Sequence, residues 1–234
     1  MKNVMRFFGI FTLMAVVGFT FISCPEDENG DPDNKDRMNI VGEILRLYDL
    51  PVEFDGFDTL SKTDFCYTLD YEYWDIIPLS DLITGTPKVE VHNKKLTIEL
   101  DQVKPDKLMT YDELFLLFSS FNIYTPPNFD NFTFTPSNAR VFLLPTLLTS
   151  DESHKIEYWD LDGNEIRQGY LYYVDKDMVM NGTMILYGGD HIYNNVSLKK
   201  GWNFVFMTGD SSIMNVTANR NATNPGYKWT VWER

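Results

Sequence analysis

Cysteine and histidine are scarce in this chain of 234 residues. It contains two cysteines, Cys24 and Cys66, and three histidines, His92, His154 and His191. If Cys24 has a role of its own, then Cys66 has no partner, so a disulfide framework is excluded unless the two pair with each other. The histidines lack the short-gap spacing of zinc sites, and the pattern places them in loops or turns. We therefore expect no metal site and no cofactor.

Positive charge is also in short supply. The chain has 20 lysines and arginines against 34 aspartates and glutamates, which gives a formal net charge of -14 at pH 7. Such a surface repels phosphate backbones and anionic lipid headgroups, so we expect no nucleic acid partner and no membrane binding through charge. Aromatic residues make up 15% of the chain and charged residues only 23%. This balance is typical of half-buried β surfaces and not of disorder.

The long apolar stretch near the start of the chain is too short to cross a membrane comfortably. It covers residues 7–22 and follows two positive charges, Lys2 and Arg6. As a helix it would extend roughly 24 Å, whereas the hydrocarbon core of a bilayer is ~30 Å thick. A basic start followed by a short apolar stretch is typical of a signal peptide. A spanning helix is the alternative interpretation.

The end of this stretch resembles the lipobox of bacterial lipoproteins. Phe21, Ile22, Ser23 and Cys24 supply an apolar residue, a tolerated middle position, a small residue and a cysteine, with Phe21 standing where the family most often has leucine. The resemblance implies that signal peptidase II removes residues 1–23, cutting between Ser23 and Cys24, and that the Cys24 thiol carries diacylglycerol. Acyl chains of this kind anchor a protein to a lipid bilayer. The expected location is the bacterial cell envelope, at the outer membrane or cell surface; a secretory leader with an accidental cysteine is the alternative.

An acidic segment follows Cys24. Residues 25–38 hold six carboxylates, two prolines and a glycine, with almost nothing apolar. Such a segment cannot bury enough surface to order itself, so we interpret residues 24–38 as the lipidated cysteine with a flexible tether. The folded domain is then expected at residues 39–234. Acidic runs after a lipidated cysteine also resemble the surface-export signals of lipoproteins in Bacteroidota.

The rest of the chain has the pattern of an all-β fold. Residues 89–92 and 96–100 alternate apolar and polar side chains and predict a hairpin, as do residues 155–159 and 165–167. A further strand is predicted over residues 170–180. About twelve strands with short turns predict an antiparallel β-sandwich.

At most one short helix is expected. Thr110 and Glu113 stand at capping-box spacing before the apolar residues 114–118, and a buried strand is the alternative interpretation of that run. The strands form either one continuous sandwich or two packed β subdomains. In the second case the boundary falls between Val103 and Ser137.

Three segments of the C-terminal half carry a second resemblance. Residues 169–177 (GYLYYVDKD), 198–203 (LKKGWN) and 227–229 (YKW) form a pattern that resembles uncharacterised lipoproteins of spirochaetes such as Treponema, with relatives in Bacteroidota. The resemblance implies a β-rich extracytoplasmic domain. Because that family has no known activity, it implies no catalytic residue.

Two pairs of tyrosines are candidates for a ligand platform. Tyr71 and Tyr73, and likewise Tyr170 and Tyr172, stand two residues apart and would share one strand face. Exposed rows of this kind stack against sugar rings, whereas buried rows are ordinary sheet packing. Burial is the interpretation that β propensity favours.

Motifs for catalysis are missing. The sequence has no Gly-x-Ser-x-Gly elbow, no Cys-His signature and no phosphate-cradling glycine loop. Asp190 and His191 are adjacent, so on an extended chain their side chains point to opposite faces. We therefore predict a non-enzymatic lipoprotein that serves as a binding, adhesion or envelope-structural module. The alternatives are a glycan-binding lipoprotein of a polysaccharide uptake system, and a hydrolase, which needs two facing carboxylates or a histidine hydrogen-bonded to an acid.

Overall fold

The computed structural model describes residues 39–41, 43–56, 60–69, 75–121, 131–144, 146–162, 165–186, 189–210, 212–219 and 228–234. Within these ranges the chain forms seventeen strands, one α-helix and two 3-10 turns. Ser23 and Cys24, with the rest of the predicted signal peptide and tether, lie outside the described residues. Tyr71 and Tyr73 lie outside them as well.

The elements follow one another along the chain as a long series of strands interrupted once by a helix. In chain order they are β1 (Asn39–Val41), β2 (Ile44–Asp55), β3 (Thr63–Asp64), β4 (Tyr67–Leu69), β5 (Ile76–Pro78), β6 (Lys88–His92), β7 (Lys95–Leu100), α1 (Tyr111–Phe121), β8 (Thr133–Thr135), β9 (Val141–Leu144), β10 (Leu147–Leu148), β11 (His154–Asp162), β12 (Glu165–Val174), β13 (Met178–Leu186), β14 (Gly189–Leu198), β15 (Gly201–Gly209), β16 (Ile213–Asn219) and β17 (Lys228–Glu233). The 3-10 turns cover Leu79–Asp81 and Pro105–Lys107.

A small antiparallel sheet has the strand order β1-β2-β7-β6-β3. The long strand β2 connects it to the large sheet, because β2 pairs with β7 as far as Pro51 and with β17 from Val52 onward. Its register shifts between Leu47 and Leu50, where Asp49 adopts a positive φ of 54°. A shift of this kind bends a strand and lets it pass from one sheet to the other.

The large sheet has the order β2-β17-β11-β12-β15-β16-β14-β13-β8. The pairs β17·β2 and β14·β16 are parallel, and the remaining pairs in this order are antiparallel. Strands β9, β10, β4 and β5 join the sheet beside β11 and β12. Together with the small sheet it forms an all-β sandwich, as the sequence predicts.

Two hydrophobic cores lie on opposite faces of the same strands. In β15 every residue from Gly201 to Met207 is buried. Trp202, Phe204 and Phe206 belong to a first core shared with the small sheet, whereas Val205 and Met207 belong to a second core beneath β13, β14, β16 and α1. Strands β9 and β12 alternate between the two cores in the same way, because successive strand side chains point to opposite faces.

The predicted hairpin and the predicted helix are confirmed. Strands β6 and β7 pair through the two-residue turn Asn93-Lys94, whose φ angles of 51° and 60° suit a hairpin turn. Helix α1 starts with the expected capping box, since the Glu113 carboxylate accepts from the Thr110 backbone N–H at 2.7 Å and the Thr110 hydroxyl accepts from the Glu113 N–H at 3.3 Å. Among the described residues no helix has the length and hydropathy to cross a membrane.

The strand predicted over residues 170–180 is wrong in its extent. Strand β12 ends at Val174 and β13 begins at Met178. Between them Asp175 accepts from the Arg140 backbone N–H at 2.8 Å. Asp177 accepts from the Lys200 backbone N–H, in the turn between β14 and β15, at 2.9 Å. These two carboxylates satisfy backbone groups of neighbouring segments and so stabilise a connection where alternation alone indicates a strand.

The placement of the histidines in loops or turns is also wrong. His92 ends β6, His154 begins β11, and His191 lies inside β14. His191 is 2% exposed, whereas the neighbouring Asp190 is exposed. The two side chains thus point to opposite faces, as the sequence predicts.

Candidate functional site

A fork opens in the large sheet between β11 and β12. These two strands pair with each other from the turn, at Asp162 and Glu165, as far as Tyr158 and Gly169. Beyond that point β11 pairs with β10, and β12 pairs with β9. Thr146, just before β10, therefore lies where the two hairpin strands diverge, and its hydroxyl donates to the Ile156 carbonyl oxygen at 3.3 Å.

A cavity of about 40 Å³ lies at this fork. The rings of Tyr158, Phe204 and Trp229 line its apolar part, and Glu157 and Gln168 line its polar part. A cavity of this volume holds roughly one to three water molecules, whereas pockets that enclose drug-sized ligands start at about 300 Å³. A larger ligand would therefore lie on the sheet face and place only a small group in the cavity.

Glycine is required at one position of the fork. A Cβ at Gly169 would overlap the ring of Tyr158, its direct cross-strand partner. The Tyr158 ring uses this space and makes a tilted contact with Trp229, at 4.7 Å between centroids. The absence of a side chain at Gly169 thus sets the shape of the cavity.

Four polar side chains lie on one face at the fork, and we call Lys155, Glu157, Gln168 and Tyr170 the fork site. Lys155 and Glu157 are two residues apart on β11, and Gln168 and Tyr170 are two apart on β12. Gln168 lies directly opposite residue 159, which shares its strand face with Glu157. The alternation of side chains along each strand and the register between β11 and β12 therefore bring all four side chains to the same face.

The fork site contains a partly buried ion pair. Lys155 Nζ lies 2.8 Å from Glu157 Oε1, and the two side chains are only 24% and 17% exposed. Burial raises the pKa of the Glu157 carboxyl, while Lys155 acts in the opposite direction. Lys155 Nζ also lies 5.7 Å from the ring centroid of Trp232 on β17, which adds a cation–π contact.

A second polar contact completes the fork site. The Tyr170 hydroxyl donates to Gln168 Oε1 at 2.9 Å. This bond orients the Gln168 amide, whose NH₂ group retains two donors. The site therefore combines an ammonium donor, a carboxylate acceptor and an amide donor beside an aromatic ring.

Tyr170 and Tyr172 share a strand face, as predicted, but they differ in burial. Tyr172 is 3% exposed and packs in the second core, whereas Tyr170 is half-buried, packs against the edge of that core and belongs to the fork site. The side chain of Tyr172 therefore offers no surface for a ligand. Tyr71 and Tyr73 lie outside the described residues.

A serine–histidine contact occurs in the loop before β11. Ser153 Oγ lies 2.7 Å from His154 Nδ1 and donates to Asp151 Oδ1, also at 2.7 Å. The Thr149 hydroxyl donates to the same carboxylate, and these hydrogen bonds lower the pKa of Asp151. In a hydrolytic triad the acid orients the histidine, whereas here the acid bonds to the serine, so this cluster has the geometry of a loop stabilised by its own side chains.

The sequence contained a signal for part of the fork site. Lys155 and Glu157 alternate with Ile156 and Tyr158, which places the two charged residues on the face of β11 opposite the first core. Their burial depends on β17 and β12, whose registers a single sequence does not reveal. Gln168 carried no signal of its own.

Comparison with known protein families, with curated proteins and with solved structures found no match for this chain.

Proposed function

We propose that the protein is an exported bacterial lipoprotein, anchored to the cell envelope through acylated Cys24, whose β-sandwich is a non-enzymatic binding module. The signal-peptide pattern of residues 1–23 and the small residue Ser23 before Cys24 support the anchor. The acidic residues 25–38 provide a spacer between the bilayer and the domain. A module held in this way presents the faces of its sheets to partners outside the cytoplasm.

The ion pair at the fork is the observation that carries the binding role. Removing two charges from water is costly, and a buried pair is often no more stabilising than apolar residues of similar volume. Glu157 nonetheless lines a cavity together with Gln168, and it holds Lys155 beside them through the ion pair. Groups arranged in this way offer a ligand both a donor and an acceptor in a partly dry setting, where hydrogen bonds are stronger than in water.

A glycan is the ligand class that the fork site favours. Sugars present many hydroxyl groups, each of which donates and accepts, together with apolar ring faces. The fork site supplies the Glu157 carboxylate, the Lys155 ammonium and the Gln168 amide beside the Tyr170 ring. A hydroxyl or hydroxymethyl group is also small enough for the cavity of about 40 Å³.

Binding fits the fork better than hydrolysis does. Glycoside cleavage uses two carboxyl groups on opposite sides of the scissile bond. Among the described residues that line the cavity, Glu157 supplies the one carboxylate. Glu157 therefore serves as a hydrogen-bond acceptor for the ligand.

A glycan array with the detergent-solubilised full-length protein tests this function. Glu157→Gln keeps the shape of the side chain and removes its charge, so we expect it to weaken glycan binding about tenfold or more, in line with the loss of a charged hydrogen bond. Glu90→Gln is the matched control, because Glu90 is 16% exposed, pairs with Lys62 at 2.8 Å and lies on β6 in the small sheet.

Three outcomes separate the interpretations. Loss of binding in Glu157→Gln with binding retained in Glu90→Gln supports the fork site. Equal binding by both variants and the wild type would place the ligand elsewhere. If no glycan on the array is bound by the wild type, the glycan assignment is wrong.

A further inference from the structure

His191 occupies an unusual position in the second core. It is the third residue of β14 and shares its strand face with Tyr193, a member of that core. The residue is 2% exposed, and its Nδ1 atom is buried with no hydrogen-bond partner. Burying a polar atom without a partner is costly, so the position calls for an explanation.

Methionines flank His191 on both neighbouring strands. Met184 of β13 is its antiparallel partner, and Met214 of β16 is its parallel partner. Both are 1% exposed and belong to the second core, as does the face that His191 shares. Adjacent strands lie about 4.8 Å apart, so the imidazole stands between two flexible thioether side chains in one row across the sheet.

Thioether and imidazole groups form a ligand set for a soft metal ion. Methionine sulfur binds Cu(I) well, whereas carboxylate and carbonyl oxygens suit harder ions. The Nδ1 atom of His191, which is buried without a hydrogen-bond partner, is a nitrogen donor of the kind that copper binds.

We propose that His191, Met184 and Met214 form a binding site for Cu(I). The Nδ1 atom supplies the nitrogen ligand, and the two flanking methionines supply one sulfur each. Three ligands of this kind give a site with one nitrogen and two sulfurs. The site is separate from the fork site and does not depend on the glycan assignment.

The row lies close to the end of two of its strands. His191 is the third residue of β14, and Met214 is the second residue of β16. The proposal therefore places the entry of the ion at this end of the sheet.

The spacing of the histidines could not predict this site. Metal sites are recognised in a sequence by nitrogen, thiolate and carboxylate ligands that stand close together. Here the three residues stand at positions 184, 191 and 214, and two of them are methionines, which in a β-rich sequence are ordinary core residues. The sheet register brings them together.

A Cu(I) titration of the full-length protein tests the proposal. The thiols are first blocked with iodoacetamide, and Cu(I) is added without oxygen in competition with a chromophoric chelator. We expect the wild type to bind one ion at this site, and Met184→Leu and Met214→Leu each to weaken its affinity about tenfold or more, since even outer-shell changes at metal sites cost 10–100-fold. These substitutions nearly conserve volume, so the fold should be retained.

Met178→Leu is the matched control. Met178 is 2% exposed in the same core but lies at the other end of β13, opposite Leu198. The site is supported if the affinity for Cu(I) is unchanged in this variant and reduced in Met184→Leu and Met214→Leu. It is also supported if Cu(I) raises the midpoint of thermal unfolding only in proteins that keep both Met184 and Met214. Wild-type affinity in all three variants, or an X-ray absorption spectrum of the bound copper without sulfur neighbours, would overturn the proposal.

Discussion

The carboxyl groups of Glu157 and Glu90 have pKa values shifted in opposite directions. Each pairs with a lysine at 2.8 Å, and their side chains are 17% and 16% exposed. Burial raises the pKa of Glu157, whereas hydrogen bonds from Lys62 and Lys88 lower the pKa of Glu90. Since the two side chains are equally exposed, the difference comes from what lies around each carboxylate: packed protein surrounds Glu157 at the fork, whereas two lysines stabilise the charge of Glu90.

Stability measurements across pH should separate these two residues. The folded-state pKa of Glu157 is raised, so its contribution is greatest when it is protonated and is lost as pH rises through that pKa. As pH rises from below the ordinary glutamate pKa through the raised pKa of Glu157, we therefore expect the free energy of unfolding of the wild type to fall relative to that of Glu157→Gln. Urea titrations of both proteins at a series of pH values measure the difference.

Glu90→Gln should show the opposite trend. The folded-state pKa of Glu90 is lowered, so its contribution is present at higher pH and is lost as pH falls through that pKa. The wild type should therefore gain stability relative to Glu90→Gln as pH rises. If the stability of the wild type relative to each variant changes with pH in the same direction for Glu157→Gln and Glu90→Gln, the two carboxylates do not have the opposite pKa shifts described.

At the scale of single elements, the sequence predicted best where local chemistry decides the structure. The β6–β7 hairpin and the start of α1 are set by residues close together in the chain, Asn93 and Lys94 in the turn and Thr110 and Glu113 in the cap. The end of β12 was predicted wrongly, because it depends on bonds from Asp175 to a segment 35 residues away. Contacts of that range leave no local pattern.

The capping box of α1 has a measurable consequence. Thr110→Ala removes the hydroxyl that accepts from the Glu113 N–H at 3.3 Å and donates to its carboxylate at 2.8 Å. We expect the substitution to lower the free energy of unfolding by about 1 kcal/mol, the typical cost of replacing an N-cap threonine by alanine. Urea denaturation checks the value.

Thr84→Ala serves as the control for this substitution. The Thr84 hydroxyl is exposed and donates to the Gln102 carbonyl oxygen at 3.2 Å, away from any α-helix end. Its loss should cost less than the loss of Thr110. Equal costs would show that the capping box contributes nothing beyond an ordinary surface hydrogen bond.

At the scale of the whole molecule, two cores share one set of strands. Strands β9, β12 and β15 direct alternate side chains into the first and second core, so the sheet between the cores is buried on both faces. The sequence predicted a sandwich from the number of strands and turns. It could not predict that the same strands serve both cores, nor that the fork forms beside them, because both depend on the order of strands in the sheet. The subdomain boundary between Val103 and Ser137 stays a prediction.

Neither the fork site nor the row around His191 could be predicted from the sequence, and the reason is the same for both. Each brings together residues from different strands through register, at β11 and β12 in one case and at β13, β14 and β16 in the other. The proposed anchor, in contrast, rests on consecutive residues that end at Cys24. We propose that it holds a binding module at the bacterial envelope.

Metabolic labelling with a fatty-acid probe is the direct test of this anchor. Cells that express the wild type, Cys24→Ala or Cys66→Ala are labelled, and the incorporation into each protein is compared. We expect label in the wild type and in Cys66→Ala, since Cys66 is a half-buried free thiol packed against the first core. We expect no label in Cys24→Ala. Unchanged labelling of Cys24→Ala, or no label in the wild type, would show that Cys24 carries no lipid.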